Sequence, residues 1–223
     1  MEAPVTPYAL LCCNTSGMLT KQNNNPQTAY KPFDKNRDGF AIAEGAGIMI
    51  LESLRRAQSR GAHVYANIIG YGATCDGVDR IEPSPDGVQL ARAIALALDD
   101  AGISIHDIDY ICSDGAATKI GDISETLAIK KVFGKRAYQI PVSAPKAIFG
   151  NMLGASGALD VIMTCLAMEH STVPPTINYE TPDEECDLDY CSNKAQEKEI
   201  KNALIINRGR GGINCALILQ KNQ

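Results

Sequence analysis

The chain has 223 residues, 45% of them hydrophobic and 21% charged, which fits a folded protein with one large core or two small ones and excludes a disordered, repetitive or coiled-coil chain. Its formal net charge of −5 argues against a broad nucleic-acid or anionic-membrane surface, because both need clustered Lys and Arg. No apolar run approaches the roughly 20 residues that cross a bilayer, and Met1-Glu2-Ala3-Pro4 lacks the basic and apolar regions of a secretion signal, so a cytoplasmic location is expected.

Residues 1–36 are rich in Asn, Thr, Pro and Gln and show no periodicity, which predicts a lead-in segment. From Arg37 the character changes, and Gly39–Glu44 and Gly47–Leu51 are short apolar runs divided by glycine, as in buried strands. Glu52–Arg60 is polar and helical, ended by Gly61. Val64–Thr74 is the next strand, with Gly70 and Gly72 marking bends or a close backbone approach. Asp86 opens a helix whose Leu90, Ile94, Ala97, Leu98 and Ala101 share one face, closed by Gly102.

Ile108–Cys112 is a strand that leads into a loop at Asp114, followed by a helix over Asp122–Phe133 capped by Gly134 and a short strand over Gln139–Ser143. The helix Ala155–Glu169 is apolar around much of its circumference, which predicts cover on more than one side. Ala203–Ile206 and Ile213–Leu219 are the last strands, on either side of a glycine-rich turn. Strands separated by helices predict an α/β domain whose sheet is mostly parallel, with functional loops at the strand ends.

The eight cysteines include no Cys-x-x-Cys pair, and none of the three histidines lies near one in a ligand pattern. Reduced, buried thiols and no metal are the expectation, with His63, His106 and His170 on the surface. Gly209-x-Gly211-Gly212 sits between terminal strands with no helix after it, which argues against a dinucleotide loop.

One set of motifs runs in order along the chain: Lys31-Pro32-Phe33-Asp34-Lys35-Asn36-Arg37-Asp38-Gly39-Phe40, Glu44-Gly45-Ala46-Gly47, Gly70-Tyr71-Gly72, the Tyr110–Thr118 loop, Glu125-Thr126, Pro145-Lys146, Gly150–Gly157, Val173–Asn178 and Gly211-Gly212-x-Asn214. Together they resemble the β-ketoacyl synthases of fatty-acid and polyketide assembly. The resemblance implies a thiolase-like α-β-α-β-α fold of two similar halves, each with a five-stranded sheet and helices on both faces. It places residues 1–36 at the end of the N-terminal half and residues 37–223 in the C-terminal domain, with the nucleophilic cysteine in the half not represented here.

In active members two histidines donate hydrogen bonds to the thioester oxygen that becomes an enolate; this chain has Asp114 at the first position and Asn151 at the second. An ionised aspartate only accepts hydrogen bonds and repels an enolate, and asparagine donates without exchanging protons. Where active members have Phe-Gly-Phe-Gly-Gly, this chain has Arg208-Gly209-Arg210-Gly211-Gly212. The three departures resemble the chain-length factors, degenerate subunits that pair with an active ketosynthase in type II polyketide systems.

A carboxylate in a former pocket needs compensation, so Asp114 is expected to face Arg208 or Arg210. Lys146, a position that active members use, is expected to pair with Asp160 or Glu125 as an inherited structural contact. The resemblance implies no cofactor on this chain, only the phosphopantetheine of an acyl carrier protein. The expected partners are an active ketosynthase subunit, that carrier, and a complementary N-terminal half as a separate polypeptide. Two other readings stay open: a split decarboxylase or acyltransferase that uses a cysteine from another chain, and a truncated fragment with no separate role.

Overall fold

The computed structural model describes residues 1–222, and its first element is one that the polar lead-in conceals. Helix α1 (Pro7–Thr15) starts where the Thr6 hydroxyl accepts from the Ala9 amide at 3.3 Å and Pro7 supplies a ready-made first turn. After it come α2 (Leu54–Ser59), β1 (Ala66–Cys75), α3 (Val88–Ala101), β2 (Tyr110–Cys112), α4 (Lys119–Phe133), β3 (Val142–Ser143), α5 (Lys146–Phe149) and α6 (Ser156–His170). A small two-stranded ribbon of β4 (Thr172–Val173) and β5 (Gln196–Glu197) precedes the closing hairpin of β6 (Asn202–Gly209) and β7 (Ile213–Lys221).

The five-stranded sheet has the order β1-β7-β6-β2-β3. It is mostly parallel, as expected: β1, β6, β2 and β3 all run in one direction, and only β7, antiparallel to both β6 and β1, is reversed. The cause is the turn at Gly209–Gly212, which is too short to cross over and so forces β6 and β7 to run in opposite directions. Alternating side chains divide the core in two. Ile111, Leu204, Ile206 and Ile218 meet α3 and α4 through Leu90, Ile94, Ile129 and Phe133, whereas Tyr110, Cys112, Ile205 and Leu219 meet α6 through Ala167 and Met168.

Gly70 and Gly72 let β1 lie directly on α3: an added Cβ would stand 2.2 Å from the Ala97 carbonyl oxygen or 2.1 Å from that of Ala93.

Two expected strands are not strands here. Gly39–Glu44 makes only single-residue bridges, Leu19 with Phe40 and Ile42 with Asn151. Gly47–Leu51 has no regular secondary structure, and Ile48, Ile50 and Leu51 are 90%, 85% and 70% exposed. Gly47 rests on α6, where a Cβ would come within 2.8 Å of that of Ala158. No backbone group of residues 46–52 is hydrogen bonded to backbone among the described residues. The run is apolar enough for a strand buried on both faces, yet nothing among the described residues lies along either of its edges. On the face of β1 and β7 that α6 covers at Leu217 and Leu219, Tyr71 and Ile213 are still more than half exposed.

Candidate functional site

The site forms at the carboxyl end of β2, where the chain leaves the sheet for α4. Ser113 fixes the exit, donating from its amide and its hydroxyl to the Ser143 carbonyl at 2.8 and 2.9 Å. The loop then turns through Gly115 and Ala117, both at positive φ, before Thr118 caps α4 by accepting from the Gly121 amide. Gly115 is required twice, for its φ of 48° and because a Cβ would stand 2.4 Å from that of Ala144.

Glu125, nearly two turns into α4, grips this loop with both carboxyl oxygens, accepting from the Asp114 amide at 2.7 Å and the Gly115 amide at 3.0 Å. The Tyr30 hydroxyl donates to the Gly115 carbonyl from the other side.

Asp114 is buried, and its counter-charge is Lys146, not an arginine. The Lys146 ammonium, 1% exposed, stands 3.3 Å from Asp114 and 2.6 Å from Asp160. Burial opposes its charge, but the two carboxylates hold it well above the usual lysine value. The expected pairing of Asp114 with Arg208 or Arg210 does not occur. Arg208 turns to Asp76 and Asn214, and Arg210 donates to the Ser16 hydroxyl at 2.9 Å. The reason is direction: alternation on β6 aims Arg208 toward α4 and the loop after β1, and Arg210 lies out on the turn. Of the two partners expected for Lys146, Asp160 makes the contact and Glu125 serves the loop amides instead.

Asn151 is anchored through its backbone to Ala41 and Ala43, and its Oδ1 accepts from the Leu153 amide and the Ser156 hydroxyl. Only its Nδ2 end is left to face a ligand.

Sequence reading missed a second buried charge cluster behind the loop. Arg37, fully buried, donates to the carbonyls of Thr118, Asp34 and Lys119 and to Asp183, with Asp122 3.5 Å from its Nε. Asp122 in turn accepts from the Phe33 amide at 2.7 Å. Arg37 and Asp34 did stand in the quoted Lys31–Phe40 motif, but nothing in it tied them to Asp122.

Burial and the nearby Asp114 push Glu125 up to about 8, against the two amide hydrogen bonds that favour its carboxylate. Burial also raises Asp122 to about 7, although Arg37 pulls it down. Folded, both groups bind a proton more tightly than unfolded, so their stabilisation is full below the ordinary carboxylate range and is lost as pH rises toward 7 and 8. Urea unfolding should therefore show stability falling between about pH 5 and 8, with a shallower slope in Glu125→Gln. An unchanged slope in that variant would remove Glu125 from the account.

Burial pushes the Cys112, Cys186 and Cys191 thiols up to about 12, so they are not thiolates at neutral pH. Among the described residues no group of His, Cys, Asp and Glu is placed to hold a metal ion. No helix of the described residues is long and apolar enough to cross a membrane.

Residues 65–180 match the family model for the β-ketoacyl synthase C-terminal domain, and residues 1–57 the model for its N-terminal domain. The chain belongs to the β-ketoacyl synthase family. Its fold is the thiolase-like ketosynthase fold. Over 220 residues the chain is 43% identical to 3-oxoacyl-[acyl-carrier-protein] synthase 2 of Staphylococcus aureus strain COL, covering 99% of this chain and 53% of that protein. It is 40% identical to the tetracenomycin polyketide synthase ketoacyl synthase alpha subunit of Streptomyces glaucescens, covering 99% of this chain and 52% of that protein. The chain thus spans about half the length of the curated ketosynthases it matches.

Among solved structures, it superposes at a TM-score of 0.97 and 40% identity on the AntDE:AntF complex, a type II polyketide ketosynthase bound to the hexaketide with its acyl-carrier protein. That match covers 100% of this chain and 55% of the other. The ishigamide ketosynthase/chain length factor gives a TM-score of 0.91 at 37% identity, covering 100% of this chain and 53% of the other.

Proposed function

We propose that this ketosynthase-family chain is a non-catalytic subunit of the chain-length-factor type, which scaffolds an active ketosynthase and shapes its acyl tunnel. The observation that carries the reading is Asp114. A buried carboxylate tied to Lys146 occupies the position where a condensing enzyme of this family needs a hydrogen-bond donor. The thioester of a carrier-borne phosphopantetheine would meet an acceptor there, so these residues supply no condensation step for it.

The companions of this proposal are an active ketosynthase, an acyl carrier protein, and an N-terminal half on another polypeptide. The unpaired backbone of residues 46–52 and the exposed Tyr71 and Ile213 are surface that such an N-terminal half would cover. Similarity to 3-oxoacyl synthases favours a second reading, a split acyltransferase or decarboxylase that borrows a cysteine, with Lys146 and the Asn151 amide as donors.

One experiment separates the two. The chain is assembled with its N-terminal half, without a separate ketosynthase, and offered acyl and malonyl thioesters of the carrier protein. No condensation or decarboxylation above background is expected. Turnover that depends on Lys146 or Asn151 would overturn the scaffold reading.

A further inference from the structure

Arg208 was expected to compensate Asp114, and it does something else. Its side chain is 7% exposed and reaches three separate segments. Nε donates to Asn214 Oδ1 on β7 at 3.1 Å, and Nη1 donates to the Gly121 carbonyl and the Ser124 hydroxyl of α4 at 3.2 and 3.3 Å. Nη2 stands 3.6 Å from Asp76, whose side chain is 1% exposed.

Asp76 extends the knot. Its carboxylate accepts from Asn214 Nδ2 at 2.7 Å and the Ser84 amide at 2.8 Å, while its own amide donates to the Gly212 carbonyl at 2.8 Å. Ser124 returns the connection by donating its hydroxyl to the Ser84 carbonyl at 2.7 Å. The turn has no slack at this point. Gly212 sits at a φ of 77°, and a Cβ there would fall 2.6 Å from that of Asp76.

We propose that Arg208 is a positioning residue that fastens the β6–β7 turn and the 76–84 loop to α4, and through α4 steadies the Asp114 loop. The step through α4 is short. Ser124, which Arg208 holds, directly precedes Glu125, whose two oxygens carry the Asp114 and Gly115 amides. A planar guanidinium with donors in three directions suits the task, and a lysine ammonium on a flexible stem cannot reach all three groups. The turn is thereby held in one position, whether or not the assembled subunit is catalytic.

Amide hydrogen exchange on the full chain tests this in wild type, Arg208→Gln and Arg208→Lys. In Arg208→Gln the amides of Asp76 and Ser84, and also those of Asp114 and Gly115, should exchange at least about tenfold faster, while the Ile205 and Ile218 amides keep their rates. Arg208→Lys should fall between. Unchanged exchange at Asp76 and Ser84, or acceleration equal to that of the whole sheet, would overturn the proposal. Acceleration confined to the 76–84 loop would overturn the coupling to Asp114. If Arg208→Gln does not fold, Asp76→Asn, which keeps size and an acceptor for Ser84 but removes the charge facing Arg208, is read by the same outcomes.

Discussion

Lys146→Met should destabilise the chain by about 3–5 kcal/mol or prevent its folding. The ammonium it removes is 1% exposed and lies between Asp114 and Asp160, whose side chains are 10% and 0% exposed. Methionine nearly matches lysine in volume, so packing changes little and the loss is electrostatic: two carboxylates lose their shared counter-charge in a region largely closed to water. The triple variant Lys146→Met, Asp114→Asn, Asp160→Asn should recover much of the deficit, because it removes the stranded charges together with their partner. Urea midpoints of the three proteins at fixed pH measure this. Because the carboxylates raise Lys146 above its ordinary value, the contribution is complete at neutral pH and fades only above the lysine range. A single variant within about 1 kcal/mol of wild type would mean that the carboxylates are neutral or solvated, and the electrostatic account of Asp114 would go with it.

The second large effect concerns assembly. Ile50→Asp, or Ile48→Asp, should leave the isolated chain folded, since these side chains are 85% and 90% exposed, yet weaken its association with the N-terminal half proposed above by about 100-fold or more. Each isoleucine would contribute about 1.5–3 kcal/mol on burial, and an aspartate carried into the same place adds a desolvation cost. Sedimentation of mixed chains gives the association, and circular dichroism of the chain alone gives the fold. Unaltered association would show that residues 47–51 are not at the interface.

Much of the fold was legible because local rules and burial agreed. The face of Leu90, Ile94, Ala97 and Leu98 and the stop at Gly102 appear in α3 almost as written, and Gly70 and Gly72 do mark a close backbone approach. The α1 start signal Thr6-Pro7 and the apolar Tyr8–Cys13 after it were also present in the sequence, masked by the polar run Lys21–Pro26 that dominates the segment. Gly47–Leu51 failed for a different reason: hydrophobicity reports that a segment wants cover, not what supplies it.

At the site, the residue types near Asp114 were readable one by one, but their pairings were not. Asp114 and Lys146 are far apart in sequence and meet because β2 and β3 are neighbours, while Arg37 reaches Asp122 from an irregular segment packed against the start of α4. Charge arithmetic offered Arg208 as the partner of Asp114, and strand alternation sent it to Asp76.

In the proposed two-polypeptide arrangement, the bare stretch around Ile48–Leu51, with amides and carbonyls unclaimed by other backbone, would set a rule of supply for the cell. A copy made without its mate would carry a sticky template to which another such copy can pair, so surplus would invite clumping. Balanced synthesis of the two polypeptides would then be a condition of keeping either one in usable form.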